Sequence, residues 1–310
     1  MRVLLAGATG VVGQRLVPRL VEAGHEVTGL TRKPERAEAI RAAGAAAAVA
    51  DVLDADATRR AVVDAAPEVV VQHLTDLPKE LPPRKLAKAY EGNDRLRGEG
   101  TANLVAAARA AGARRYLAQN VCFFYAAQGG PVADEDAPLL DDAPPPFDRS
   151  GRVYREMEAM VLGTSGIEGL VLRCGWWYGA GTTWAQDGFY AREVRRRRLP
   201  VVGDGGGVFS FVHLDDVVAA TLAAIERGAP GAYNVCDDDP APVRDWLPAY
   251  AAELGATPPR RVPRWIAALA VGRFQARMFT EMRGASNAKA RRELGWHPAH
   301  PTWRGRLAGD

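Results

Sequence analysis

Seven residues near the N-terminus have the types and spacing to hold a phosphate: Gly7, Ala8, Thr9, Gly10, Val11, Val12 and Gly13. They follow an apolar run that reads as a strand, and they open a stretch with apolar residues at helical spacing. In that setting Gly7 allows the tight turn, and Gly10 lets the backbone approach a pyrophosphate. Gly13 lets the helix pack close to the strand. The helix start adds free N–H groups and a partial positive charge, so Thr9, Val11 and Val12 join the glycines as candidate phosphate contacts. The next apolar run ends at Arg32 and Lys33. An acid there would take a ribose 2′-hydroxyl, whereas two cations suit a 2′-phosphate, which Arg can bind through two hydrogen bonds. The pattern points to NADP; NAD is the alternative if both cations are solvated loop charges. Asp51 and Val52 then fall near the adenine, and Leu74 and Thr75 near the nicotinamide ribose.

Placing these residues on one edge needs a particular frame. Short apolar runs at 2–6, 26–30, 47–50, 69–72, 115–119 and 169–173 read as buried strands. Helical patterns lie between them at 11–23, 34–43, 54–66, 86–111 and 152–163. This alternation predicts an α/β fold: a Rossmann doubly wound parallel sheet, covered on both faces, with a smaller C-terminal substrate lobe. Residues 1–173 form the dinucleotide-binding domain, with 208–231 returning to it, and 174–207 and 232–310 form the lobe. Residues 129–150, rich in Pro and Asp, are long for a loop and read as functional or mobile. Residues 214–227 read as a helix returning to the sheet.

Bulk properties exclude several classes. With 310 residues, 47% hydrophobic and 25% charged, the chain has the make-up of a soluble enzyme. A net charge of +3 marks no nucleic-acid binder. The run Arg195, Arg196, Arg197, Arg198 reads as a solvated helix end. Three dispersed cysteines, Cys122, Cys174 and Cys236, make neither a disulfide framework nor a zinc site, and no metal is expected. No apolar run reaches the roughly 18 residues of a membrane span. The opening apolar run is short and broken by glycines, unlike a signal peptide, which places the chain in the cytoplasm.

The chain resembles an extended or atypical short-chain dehydrogenase/reductase of the epimerase/dehydratase type. The glycine loop carries the likeness first. Further landmarks are Gly98-Glu99-Gly100-Thr101-Ala102-Asn103-Leu104, Arg173 followed by Tyr178-Gly179, Phe211-Val212-His213-Leu214-Asp215-Asp216-Val217, Tyr233-Asn234-Val235 and Glu293-Leu294-Gly295-Trp296. The resemblance implies cofactor contacts from Asn120, Tyr154, Gly175 and Trp176. It also implies a homodimer through the helices at 86–111 and 152–163, with Leu104, Val105, Met157 and Val161 as apolar contacts.

The departures bear on chemistry. The family's Tyr-x-x-x-Lys pair is absent: aligned on Glu158, its tyrosine position falls on Ser150 and its lysine position on Tyr154. The family's hydroxyl after strand five is lost in Asn120-Val121-Cys122-Phe123. A tyrosine titrates near pH 10 unless a cation stabilises its phenolate. Glu158, one turn on, is placed to oppose ionisation of Tyr154. Tyr154 therefore reads as a neutral hydrogen-bond donor or a residue packed beside the cofactor. Cys122, Tyr125 and Tyr178 follow strand ends and are expected to face the cleft, so the catalytic candidates are Tyr154, Tyr178 and Cys122. His213 reads as a support for a strand-to-helix turn, and Asp134, Glu135 and Asp136 as loop charges.

Nucleotide-sugar members usually carry a diphosphate-gripping arginine where this chain has Phe209. Trp176, Trp177, Trp184, Phe189, Phe211, Phe274 and Phe279 suggest an apolar or aromatic small-molecule substrate, although half of them suffice to fill the lobe's core. The leading expectation is an NADP-dependent oxidoreductase acting on an apolar or aromatic carbonyl or alcohol. A cofactor-retaining lyase, isomerase, epimerase or dehydratase, and a non-catalytic cofactor sensor, are the alternatives.

Overall fold

Seven parallel strands carry the molecule, each a short run of apolar residues buried on both faces or at one edge. The computed structural model describes residues 1–78, 80, 86–145 and 147–309. Pro146 of the irregular stretch and Asp310 at the end of the second lobe lie outside the described residues. The strands are β1 (Arg2–Ala6), β2 (Glu26–Thr31), β3 (Ala46–Val49), β4 (Val69–Gln72), β5 (Arg115–Val121), β6 (Glu168–Cys174) and β7 (Gly231–Val235). Across the sheet they run β7-β6-β5-β4-β1-β2-β3. The direction of winding reverses between β1 and β4, which opens a crevice at their C-terminal ends.

The helices are α1 (Gly13–Glu22), α2 (Ala37–Ala42), α3 (Ala55–Ala65), α4 (Leu86–Arg95), α5 (Thr101–Ala110), α6 (Asp148–Gly163), α7 (Phe189–Arg195), α8 (Leu214–Glu226), α9 (Val243–Glu253), α10 (Arg264–Val271), α11 (Arg273–Glu281) and α12 (Ala288–Leu294). On one face of the sheet, Leu16, Val17 and Leu20 of α1 pack with Val217, Val218 and Ile225 of α8 and with Leu294 of α12. On the other, Val62 of α3, Leu104 and Val105 of α5, and Met157 and Val161 of α6 close the second core. The doubly wound architecture is as expected.

Four features differ from the sequence reading. The helix expected over 86–111 is split by a π-helical turn, Leu96–Gly100, between α4 and α5. Helix α6 begins at Asp148, four residues earlier than expected. Residues 232–235, expected in the lobe, continue strand β7, which pairs beside β6 in the main sheet; Tyr233 and Val235 are fully buried in the sheet's core. Leu104, Val105, Met157 and Val161, expected at a dimer interface, are turned inward onto the sheet and at most 6% exposed.

The second lobe is built from short strand pairs and aromatics. Trp176–Tyr178 pairs in parallel with Phe211–His213, and Val208–Phe209 runs antiparallel to Ala241–Pro242. Trp184, Phe211, Trp246, Tyr250 and Trp303 fill its core. No helix of the described residues is long and apolar enough to cross a membrane.

Candidate functional site

The glycine loop forms a bare backbone cradle at the end of β1. Gly7 has φ +99°, and a Cβ on it would sit 2.3 Å from the His73 carbonyl oxygen. A Cβ on Gly13 would sit 2.2 Å from the Gly7 carbonyl oxygen. The turn closes through Gly10 N–H to the Gly7 carbonyl at 2.9 Å. No side chain caps the start of α1, and no acid occupies its first turn. Thr9, Gly10 and Val11 are half-buried at the crevice, while Val12 is core. An open helix start behind a glycine-rich loop fits a dinucleotide's pyrophosphate.

Past the second strand lie the residues expected to read the ribose. Arg32 and Lys33 stand exposed just beyond β2. Arg32 Nη2 lies 3.0 Å from Asp76 Oδ1, an ion pair with both partners well exposed. Asp51 is exposed beyond β3, and Val52 is buried behind it, its carbonyl taking a hydrogen bond from Asn103 at 2.8 Å.

On the other side of the crevice the structure draws together side chains that sequence reasoning did not. Leu74 is half-buried and Thr75 exposed. Thr75 donates to Asn93 Oδ1 at 3.2 Å, and Asn93 Nδ2 donates to the Tyr154 hydroxyl at 3.2 Å. Tyr154 is 3% exposed and meets Phe124 edge-on at 4.9 Å. The guanidinium of Arg97, carried on the π-turn, lies 4.7 Å from the centre of the Tyr154 ring.

Two expectations about Tyr154 change here. A cation does stand beside it, supplied by another helix. Glu158 does not oppose it, because that carboxylate is spent on Arg173: Oε2 lies 2.6 Å from Nη2 and Oε1 2.9 Å from Nε. Asn120 Nδ2 also donates to Glu158 at 2.6 Å. Burial holds the Tyr154 phenol above its ordinary pKa; Arg97 pulls it back, while Asp94 adds to the rise. It is a neutral phenol. Asn120 and Gly175 are buried framework, and Gly175 is tied by its N–H to the Val235 carbonyl at 2.9 Å.

The other candidate proton carriers lie away from the open crevice. Cys122 is 2% exposed, packed with Tyr125, Ala133, Cys236 and Ala285, and burial pushes its thiol well above the ordinary value. Tyr178 is wholly buried in the lobe core, its hydroxyl 3.4 Å from the Thr302 carbonyl. Both expectations of a cleft-facing group are corrected: each strand end is covered by the second lobe. Ser150 is 1% exposed and donates to Asp94 Oδ2 at 2.9 Å. Tyr125 binds Asn234 Oδ1 at 2.7 Å and takes a hydrogen bond from Arg173.

His213 caps α8 by accepting the Asp215 N–H at 3.3 Å, the structural role expected of it. It lies with Asp216 and His300 in the only His-and-carboxylate trio close enough to share a metal ion among the described residues. Asp216, however, already accepts the N–H groups of Ala299 at 2.6 Å and His300 at 3.0 Å, pinning the chain's end to α8.

The aromatics divide between core and crevice. Trp184 and Phe211 are core. Trp176 is half-buried and stacks on Phe123 at 4.2 Å and on Phe209 at 5.3 Å. Phe209, buried in this stack, offers no charge for a diphosphate. Phe274 stacks on Phe147 at 4.4 Å and reaches Phe124 at 5.8 Å, next to Tyr154.

This geometry has relatives. A 3-diazoavenalumate denitrifying reductase from a Streptomyces species is 50% identical over the full length of both chains. A 2-alkyl-3-oxoalkanoate reductase from Stenotrophomonas maltophilia is 26% identical, over 98% of this chain and 91% of its own. Among solved structures, the UDP-glucose 4-epimerase of Thermotoga maritima with UDP-glucose superposes with a TM-score of 0.76. It is 19% identical, with 99% of this chain and 96% of that one covered, a likeness of fold. The NAD-dependent epimerase/dehydratase family model matches residues 3–236. The glycine cradle, the sheet order and these matches agree: the chain belongs to the NAD-dependent epimerase/dehydratase family and is an NAD(P)-dependent enzyme, in general terms an oxidoreductase.

Proposed function

We propose that the chain is an NADP-dependent reductase that replaces the diazo group of an aromatic carboxylate by hydrogen, releasing dinitrogen. The observation that carries this reading is how poorly the sequence candidates are placed to give up a proton: Tyr178 and Cys122 are buried away from the crevice, and burial holds the Cys122 thiol and the Tyr154 phenol above their ordinary pKa values, making both weaker acids. Carbonyl reduction needs a proton as well as a hydride. An arenediazonium cation plus one hydride gives the arene plus N2, and no proton enters the balance. The 50%-identical relative, by its name a reductase that removes nitrogen from a diazo carboxylate, supports the same direction.

When bound, the nicotinamide supplies the hydride. The chain's residues would bind and orient. The glycine loop and the start of α1 hold the pyrophosphate, and Arg32 and Lys33 hold the 2′-phosphate. The Arg32–Asp76 pair is exposed and worth little, so exchange for a phosphate costs little. The half-buried Trp176 and Phe123 offer flat apolar surface to an aromatic ring and keep water from it.

The test is to mix the protein with NADPH and diazotised 4-aminocinnamate and follow absorbance and gas release. Protein-dependent oxidation of one NADPH per N2, with cinnamate as product, is expected. No protein-dependent oxidation with diazotised aminocinnamates or aminobenzoates, alongside reduction of an oxoalkanoate, would overturn the reading in favour of a carbonyl reductase. Replacing Arg32 and Lys33 together by Ala should weaken NADPH about tenfold while leaving NADH unchanged; equal losses would remove the preference for NADP.

A further inference from the structure

Arg97 is a buried arginine with no carboxylate in ion-pair distance among the described residues. It is 4% exposed on the π-turn between α4 and α5. Its Nη1 donates to the Gln119 carbonyl at 2.9 Å and to Asn120 Oδ1 at 3.3 Å, and its Nη2 to Gln119 Oε1 at 3.2 Å. These acceptors are neutral. Its Nε is buried with no hydrogen-bond partner among the described residues.

Glu158 is held by Arg173. The buried Asp94 accepts from Ser150 and lies 4.0 Å from the half-exposed Arg149, and it also feels the Arg97 charge from beyond ion-pair distance. His73 is buried and uncharged, its pKa pushed down to about 4 by burial and by Arg97 itself. Tyr154 and Tyr90 are neutral phenols, raised by burial. Among the described residues no carboxylate lies within ion-pair distance of Arg97, which leaves three arginines facing two carboxylates. An unmatched buried charge is expensive, and π-turns gather at functional sites.

We infer that Arg97 fixes a positive charge behind the nicotinamide end of the cofactor site, so that the site prefers the neutral reduced nicotinamide to the cationic oxidised one. The place follows from the sheet. Gln119 and Asn120 belong to the C-terminal part of β5, on the side of the crevice away from the glycine loop and the adenosine half. Reduced and oxidised cofactor share every phosphate and both riboses, and they differ in charge only at the nicotinamide ring. A charge at this end therefore discriminates between them, loading the reduced form and releasing the oxidised one. The benefit to turnover rests on the proposed reading of the reaction as a net reduction; the binding preference does not.

Dissociation constants of NADPH and NADP+, measured calorimetrically without substrate, test it. The wild type should bind NADPH about tenfold more tightly than NADP+, the size expected of one partly screened charge. Arg97→Lys should keep that ratio, and Arg97→Gln should bring it near one. Gln119→Glu, close in shape and placing an anion against the guanidinium, should do the same should Arg97→Gln fail to fold. A wild-type ratio at or below one overturns the inference. So do variants that weaken both forms equally, which is what a purely structural Arg97 predicts. A ratio of one leaves the reductase reading standing, and failure to reduce a diazo acid leaves the ratio standing.

Discussion

The two ends of the cofactor crevice are built on opposite principles. The end at β1, β2 and β3 is made of backbone and solvent-exposed charge: Gly7, Gly10, Gly13, Arg32 and Lys33. The end at β4, β5 and β6 is a buried polar network: Asn93, Arg97, Asn120, Tyr154, Glu158 and Arg173. Backbone recognition depends on clearance and tolerates little side-chain volume. A buried network depends on every member being matched, so that one deletion strands its neighbours. Substitutions at the two ends should therefore fail differently, the first in binding with the fold intact and the second in stability.

The largest effect is expected at the network's centre. Arg173→Met leaves Glu158 buried without its cation, which should cost about 3–5 kcal/mol of unfolding free energy. Urea denaturation reads this, and a loss under 1 kcal/mol would mean that the pair is not what organises this end. At the opposite end, Gly10→Val should lower cofactor affinity about a hundredfold while shifting the melting temperature little. Calorimetric titration checks the first half, and unchanged affinity would erase the contrast between the two ends.

Asp237 sharpens the comparison through pH. It is 1% exposed past the end of β7, with no hydrogen-bond partner for Oδ2 among the described residues, and burial pushes its pKa up to about 8. In the unfolded chain it ionises near its ordinary value, 3.8. Between those values the folded state binds more protons than the unfolded state, so this group's contribution to stability falls as pH rises. Asp237→Asn should stabilise the protein by about 1–3 kcal/mol more at pH 8 than at pH 5. Thermal melts at the two pH values decide it; equal effects would place the carboxyl in water.

The smallest effect is expected at Tyr154. Its hydroxyl is engaged by Asn93 and burial holds its phenol above the ordinary pKa, a weaker acid, so Tyr154→Phe removes one hydrogen bond, worth about 1 kcal/mol, and no more than roughly tenfold in turnover. A thousandfold collapse with cofactor binding intact would make Tyr154 the acid or base and remove the ground for a proton-free reaction.

What the sequence by itself determined lies at the first end. The glycine loop, the cations after β2 and the strand-helix alternation are legible because each depends on residues adjacent in the chain. Backbone φ, helix starts and apolar periodicity are local properties. His213 was readable as the cap of α8 for the same reason. The second end depended on tertiary structure. The residues from 94 to 99 carry Asp94, Arg95, Arg97 and Glu99 on every phase of a helix, so no periodicity distinguishes the buried charges from the exposed ones. The π-turn then turns Arg97 inward and leaves Arg95 and Glu99 exposed, paired with each other at 3.0 Å. Glu158 sits one turn from Tyr154 in sequence, yet its charge goes to Arg173 on a neighbouring strand. Cys122 and Tyr178 follow strands as expected and are nonetheless covered by the second lobe. Periodicity shows which residues can be buried, but the partner of a buried charge is chosen by packing between elements distant in sequence, and only the assembled structure contains that information.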